Sequence, residues 1–191
     1  MNEKEALLLI EDMISRTKED VKDNGFYYML WGWLVFIAAL IDFTLLRFYH
    51  NQYHAVVWAI MMPAGGIVSF IAGLRQSKAA RVKTYLDESV KYLTVAFVIS
   101  LVIVCVVMPM TTNTWQSFFP TLMVIYAFGI YMFGGMLRYK PLQYGAFANW
   151  TLAVAGFYCT YDIQLLLLAL AVVCGFIIPG HLLKRRFNLH V

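Results

Sequence analysis

Six apolar runs separated by short polar connections dominate the chain, at about residues 26–48, 55–75, 91–110, 115–138, 142–161 and 163–184. A helix needs roughly 20 mostly apolar residues to cross a hydrocarbon layer of about 30 Å, and most of these runs reach that length. Backbone polar groups in lipid must be satisfied within the segment, so a run of this kind predicts a helix. The alternation of a membrane strand is missing. The pattern therefore predicts an all-α polytopic transmembrane bundle of six spans over residues 25–186, with short loops.

Ahead of the first run, Leu7, Ile10, Ile14, Thr17 and Val21 recur at steps of three and four, which puts them on one helix face. Residues 1–24 are thus read as a cytoplasmic amphipathic helix and residues 187–191 as a short tail. A second stripe, Ala79, Val82, Leu86 and Val90, marks the connection at 76–91 as helical. The first segment carries seven acids, Glu3, Glu5, Glu11, Asp12, Glu19, Asp20 and Asp23, against four bases. Helices adsorbed on anionic lipid favour Lys and Arg, so protein contact is expected here. Leu7, Ile10, Ile14, Val21, Val82 and Leu86 are the expected contact positions, with the basic connection, a second copy of the chain or a cytoplasmic protein as occupant. The first apolar run starts only after these acidic residues and is about twice the length of a secretory core, which predicts a retained span.

Composition agrees: 61% of residues are hydrophobic and 14% charged, against about 25% charged in soluble domains. The net charge of +4 does not predict direct nucleic-acid binding, because the bases are spread between spans. Fourteen of the fifteen Lys and Arg fall in the N-terminal segment, the second and fourth connections or the C-terminus, and only Arg47 falls on the other side. The positive-inside bias then predicts both termini in the cytoplasm.

The second helix of each hairpin aligns on Arg75, Arg138 and Lys184, with Leu74, Leu137 and Leu183 just before and Gly66, Gly129 and Gly175 nine residues before. This alignment predicts three repeated two-helix hairpins. Small residues let helices approach in lipid, so Gly66, Gly73, Gly129, Gly134, Gly135 and Gly175, with Gly65 and Ser69, are expected at helix interfaces. Pro63 and Pro179 are expected to perturb their helices. Tyr27, Tyr28, Trp31 and Trp33 at one depth, and Tyr49, Tyr53, Trp58 and Trp115 at the other, read as interfacial belts.

Candidate chemistry is sparse. Asp42 is the clear ionisable residue within a span and is therefore a functional candidate, with Arg47 five residues on as a pairing partner. His50, His54 and Asp162 fall on the same outer side, but the spacing lacks the glutamate of a zinc-protease motif, so no metal is expected. Asn149, Thr151 and His181 are read as groups bonding across helices. Cys105, Cys159 and Cys174 lie in apolar runs without a CxxC spacing and are read as packing residues. No catalytic constellation or cofactor motif is visible.

The segments EKEALLLIEDMISRTKED, GFYYMLWGWLVFIAALIDF, RVKTYLDE and GGMLRYKPLQYGAFANW resemble a family of small uncharacterised bacterial six-helix membrane proteins. That resemblance implies the inner membrane and, as a candidate partner, a small winged-helix transcription regulator; it implies no activity. The hairpin count and glycines are also similar to acid-resistance membrane proteins built from three two-helix repeats. The expected function is a non-enzymatic scaffold or regulatory partner acting through cytoplasmic helices, with a small transporter or proton-coupled carrier using Asp42 as the alternative.

Overall fold

A computed structural model describes residues 27–49, 53–76, 85–110, 115–137 and 139–188. The segment with Leu7, Ile10, Ile14 and Val21, the connection with Val82, and His50 lie outside the described residues; Leu86 falls in the first turn of the third helix.

The described residues form helices and turns, with no strand among them. The helices are α1 (Tyr27–Arg47), α2 (Val56–Gln76), α3 (Tyr85–Met110), α4 (Trp115–Met136), α5 (Lys140–Gly156), α6 (Tyr161–Val172) and α7 (Ile178–Asn188). A π turn, Val173–Ile177, joins α6 to α7 in one continuous run. Five segments, Tyr27–Arg47, Val56–Leu74, Lys91–Met110, Gln116–Met136 and Tyr161–Arg185, are long and apolar enough to cross a membrane. At 17 residues α5 is shorter, about 25 Å at 1.5 Å per residue.

The fifth apolar run was expected to continue to residue 161, but α5 stops at Gly156. The chain turns there: Phe157 N–H bonds the Ala153 carbonyl, Tyr158 N–H that of Ala155 and Cys159 N–H that of Gly156. Gln164 locks the turn by donating from Nε2 to the carbonyls of Gln116 (2.6 Å), Gly156 (3.0 Å) and Cys159 (3.1 Å). A buried amide that supplies donors to turn carbonyls removes the desolvation penalty that would otherwise oppose ending a helix inside an apolar bundle.

Neighbouring helices run antiparallel. In α1 and α2, Trp31 bonds Ser69 near one end and Asp42 bonds Trp58 near the other. Phe97 of α3 covers Gly129 of α4, and Leu142 of α5 covers Gly134 of α4. The α1 helix also runs antiparallel to α6 and α7, with Gly32 against Ile177 and Gly180 against Met29. As a result, the start of α1 and the end of α7 share one end of the bundle, and Asp42, His54 and Tyr161 share the other.

Phe119, Met123, Leu165, Leu168, Ala171 and Val172 make the centre of the core, and Ile130, Tyr139, Leu142, Ala146 and Leu183 fill the Tyr28 end. The apolar stretch of α3 has no buried position. Its Val95, Val98, Ile99, Val102, Ile103 and Val106 are exposed, as suits a lipid-facing helix.

The glycines divide. A Cβ at Gly129 would lie 2.5 Å from the Phe97 ring, at Gly134 2.9 Å from Leu142, and at Gly175 2.5 Å from Asn149. Around Gly66 there is open space, since Gly65 is the glycine that packs on Leu34 and Trp31 of α1, and Gly73 and Gly135 make only ordinary contacts. The closest backbone approach involves Gly145, whose added Cβ would lie 2.6 Å from the Cys174 carbonyl oxygen.

Pro63 sits on an exposed face within an unbroken α2. Pro179 follows the π turn directly. Proline has no N–H and its ring crowds the carbonyl four residues back, so the widened turn accommodates it by shifting register.

Candidate functional site

Two of the buried polar residues, Asp42 and Gln164, lie at the end of the bundle where α1 finishes and α2 and α6 begin. Asp42, fully buried near the end of α1, faces the turn that leads into α2. That turn is set by Val56 N–H bonding the Tyr53 carbonyl (3.0 Å) and Trp58 N–H bonding the Ala55 carbonyl (3.1 Å). It presents His54 and Trp58 from one side. His54 Nδ1 lies 2.5 Å from Asp42 Oδ1, and Trp58 Nε1 donates to Asp42 Oδ2 at 2.7 Å.

Both carboxylate oxygens are thereby engaged. A carboxyl group in an apolar interior is tolerated when it is paired and hydrogen-bonded, and two donors from one hairpin provide that. Asp42 was expected to pair with Arg47, but its partners are His54 and Trp58. Five residues along a helix is about 500° of rotation at 3.6 per turn, which sets Arg47 well off the Asp42 face. Trp58, expected in an aromatic belt, is instead bonded inside the hairpin, as is Trp31, whose Nε1 donates to Ser69 Oγ at 3.1 Å.

Aromatic rings close over the pair. His54 meets Tyr161 edge to face with centroids 5.9 Å apart, Tyr161 meets Phe119 at 5.2 Å, and Phe119 meets Trp58 at 5.7 Å. His54 keeps a fifth of its side-chain surface exposed. With Nδ1 held by the carboxylate, Nε2 has no hydrogen bond among the described residues.

On the far side of Tyr161 lies an open cavity of about 380 Å³ lined by Leu46, Arg47, Thr160, Tyr161 and Asp162. Arg47 and Asp162 interact electrostatically there. The Asp162 carboxylate accepts from the Thr160 hydroxyl (2.5 Å). The structure therefore sorts the sequence candidates into a bonded pair, Asp42 with His54, and two residues of opposite charge, Arg47 and Asp162, that line one cleft without bonding each other; Tyr161 packs on His54 and lines that cleft. Among the described residues no three His, Cys, Asp or Glu side chains converge.

Elsewhere, buried Asn149 donates from Nδ2 to the carbonyls of Gly145 (2.9 Å) and Ala171 (2.8 Å), the latter across the α5–α6 interface just before the π turn. Thr151 bonds Ala148 and His181 lies 2.9 Å from the Ile177 carbonyl, both within their own helices. Two residues of this network, Trp58 and Gln164, were not singled out from the sequence as bonding groups. Gln164 is visible in retrospect as the amide interrupting an apolar run, and Trp58 as an indole in the first turn of α2, across the hairpin from Asp42 near the end of α1. Comparison with protein-family models, with curated proteins and with solved structures finds no match.

Proposed function

We propose that this chain is a six-span, non-enzymatic integral protein of a bacterial cytoplasmic membrane that works as a scaffold or regulatory partner through its cytoplasmic segments. The observation that carries the proposal is that the buried Asp42, Asn149 and Gln164 bond within the bundle, although Asn149 Oδ1, Gln164 Oε1 and the Tyr28 hydroxyl have no partner among the described residues. Asp42 is bonded to His54 and Trp58, Asn149 to Gly145 and Ala171, and Gln164 to three carbonyls. A helical domain tied together in this way is a platform. The apolar stripes at Leu7, Ile10, Ile14 and Val21 and at Val82 and Leu86 are then the positions for partner contact.

The place of α5 between α4 and the π turn, antiparallel to both, supports counting it as the sixth span despite its length. The pairs α1–α2, α3–α4 and α5–α6 support a build of three hairpins. Charge supports the orientation. Lys140, Lys184 and Arg185 lie at the Tyr28 end with Lys91, whereas Arg47, Asp42 and Asp162 lie at the other. By the positive-inside bias the Tyr28 end and both termini face the cytoplasm. A winged-helix regulator remains the candidate partner by resemblance.

The test is affinity capture of the full chain from native membranes, comparing the intact protein with an Ile10→Asp, Ile14→Asp variant of equal yield and thermal stability. A cytoplasmic regulator held by the intact chain and lost by the variant supports this reading. Equal capture by both would sink it.

The Asp42–His54 pair favours a second reading, a small proton-coupled carrier. Proteoliposomes containing a pH-sensitive dye would then acidify under an imposed gradient with the intact chain and not with Asp42→Asn.

A further inference from the structure

The Arg47–Asp162 cavity has no role in the scaffold reading, and its chemistry is specific. It places a cation and an anion, from different helices, on the wall of one open cleft of about 380 Å³, within the range of 300–1,000 Å³ typical of small-molecule sites. Arg47 makes no hydrogen bond or ion-pair contact among the described residues, although it interacts with Asp162 through space. The Asp162 carboxylate accepts one side-chain hydrogen bond, from Thr160 on Oδ1, out of about four acceptor positions. The cleft thus offers a guanidinium fork that holds no hydrogen bond among the described residues, for an anion, and a carboxylate with acceptor positions left for an N–H donor. The hydroxyl-bearing Tyr161 and apolar Leu46 complete the lining.

We infer that this cleft binds a phosphate–ammonium zwitterion, and that its occupant is the headgroup of phosphatidylethanolamine from the surrounding leaflet. Guanidinium recognises phosphate oxygens bidentately, and the carboxylate receives the primary ammonium. The lipid source follows from the surroundings. Phe48 beside Arg47, and Ile163 and Leu166 beyond Asp162, are exposed apolar residues flanking the cleft. They offer a surface for acyl chains that a soluble zwitterion would not use. The test reads lipid retention and not partner capture, so failure of either proposal leaves the other standing.

Native mass spectrometry of the full chain purified in detergent tests this directly. Phosphatidylethanolamine, phosphatidylcholine and phosphatidylglycerol are added separately to the intact protein, to Arg47→Gln and to Asp162→Asn. Lys91→Gln, at the other end, is the control. The intact chain is expected to retain phosphatidylethanolamine about fivefold better than either other lipid, the scale of one interfacial charge contact. Arg47→Gln lowers binding of both phosphatidylethanolamine and phosphatidylglycerol. Asp162→Asn lowers the first and raises the second, because the anionic lipid loses a repulsive neighbour and has no ammonium to lose. Equal retention of the three lipids by the intact chain overturns the proposal without reference to any variant's folding. Displacement of the lipid by an equal concentration of soluble phosphoethanolamine overturns the lipid assignment.

Discussion

Asp42 and His54, twelve residues apart on either side of the α1–α2 turn, meet with 2.5 Å between Oδ1 and Nδ1. The contact ties the end of one helix to the approach of the next. Removing His54 would leave a buried carboxylate with Trp58 as its remaining partner.

His54→Ala is therefore expected to lower stability by about 3–5 kcal/mol, as for one member of a buried pair. Trp58→Phe removes a single bond and should cost about 1–3 kcal/mol. Asp42→Leu combined with His54→Leu should recover most of the loss, since no buried carboxylate is left without its partner. Thermal or denaturant unfolding in detergent measures all three, and a double variant no better than His54→Ala would refute the pairing.

Gly175→Ala puts a methyl 2.5 Å from Asn149 Nδ2 and 2.8 Å from Ile130 Cδ1, and overpacking of this kind costs about 1–3 kcal/mol. Most of that cost should vanish in an Asn149→Ala background, where the amide is absent. Gly66→Ala, with open space around it, should change stability by no more than about 0.5 kcal/mol.

Gln164→Leu keeps the volume and deletes the donor shared by three carbonyls. The expected loss is about 1–2 kcal/mol, in the range of hydrogen bonds between membrane helices. Faster amide exchange should be confined to the turn at residues 157–160. Exchange that rises evenly through all helices would argue against a local lock.

Orientation is open to chemical labelling. In a background with Cys105, Cys159 and Cys174 replaced by Ala, Tyr158→Cys should react with an impermeant maleimide on intact cells, and Lys184→Cys only after lysis. Tyr158 is among the most exposed residues of the α5–α6 turn, so access does not limit the comparison. Reversed labelling would invert the topology.

Much of the helix layout was legible because apolar run length is a one-dimensional property. The boundaries that slipped, at the end of α5 above all, depend on Gly156 packing against Pro120 and on Gln164 reaching carbonyls up to 48 residues away. The site was legible as an inventory. Asp42, Arg47, His54 and Asp162 stand out as ionisable groups among apolar ones, and the hairpin count puts them at one end.

The pairing within that inventory could not be read the same way. Sequence proximity favours Asp42 with Arg47, whereas helix rotation carries Arg47 toward Asp162 and chain reversal brings His54 and Trp58 to Asp42. Glycine shows the same division: the sequence marks where small residues fall, but the facing helix decides that Gly65 and Gly145 are close-packed and Gly66 is not. Apolar length and the distribution of charge along the chain determined that this is a helical protein with segments able to cross a membrane. Which polar groups meet, and which helix faces close on one another, was decided only when the helices packed, because both depend on rotation about axes that a linear pattern does not specify.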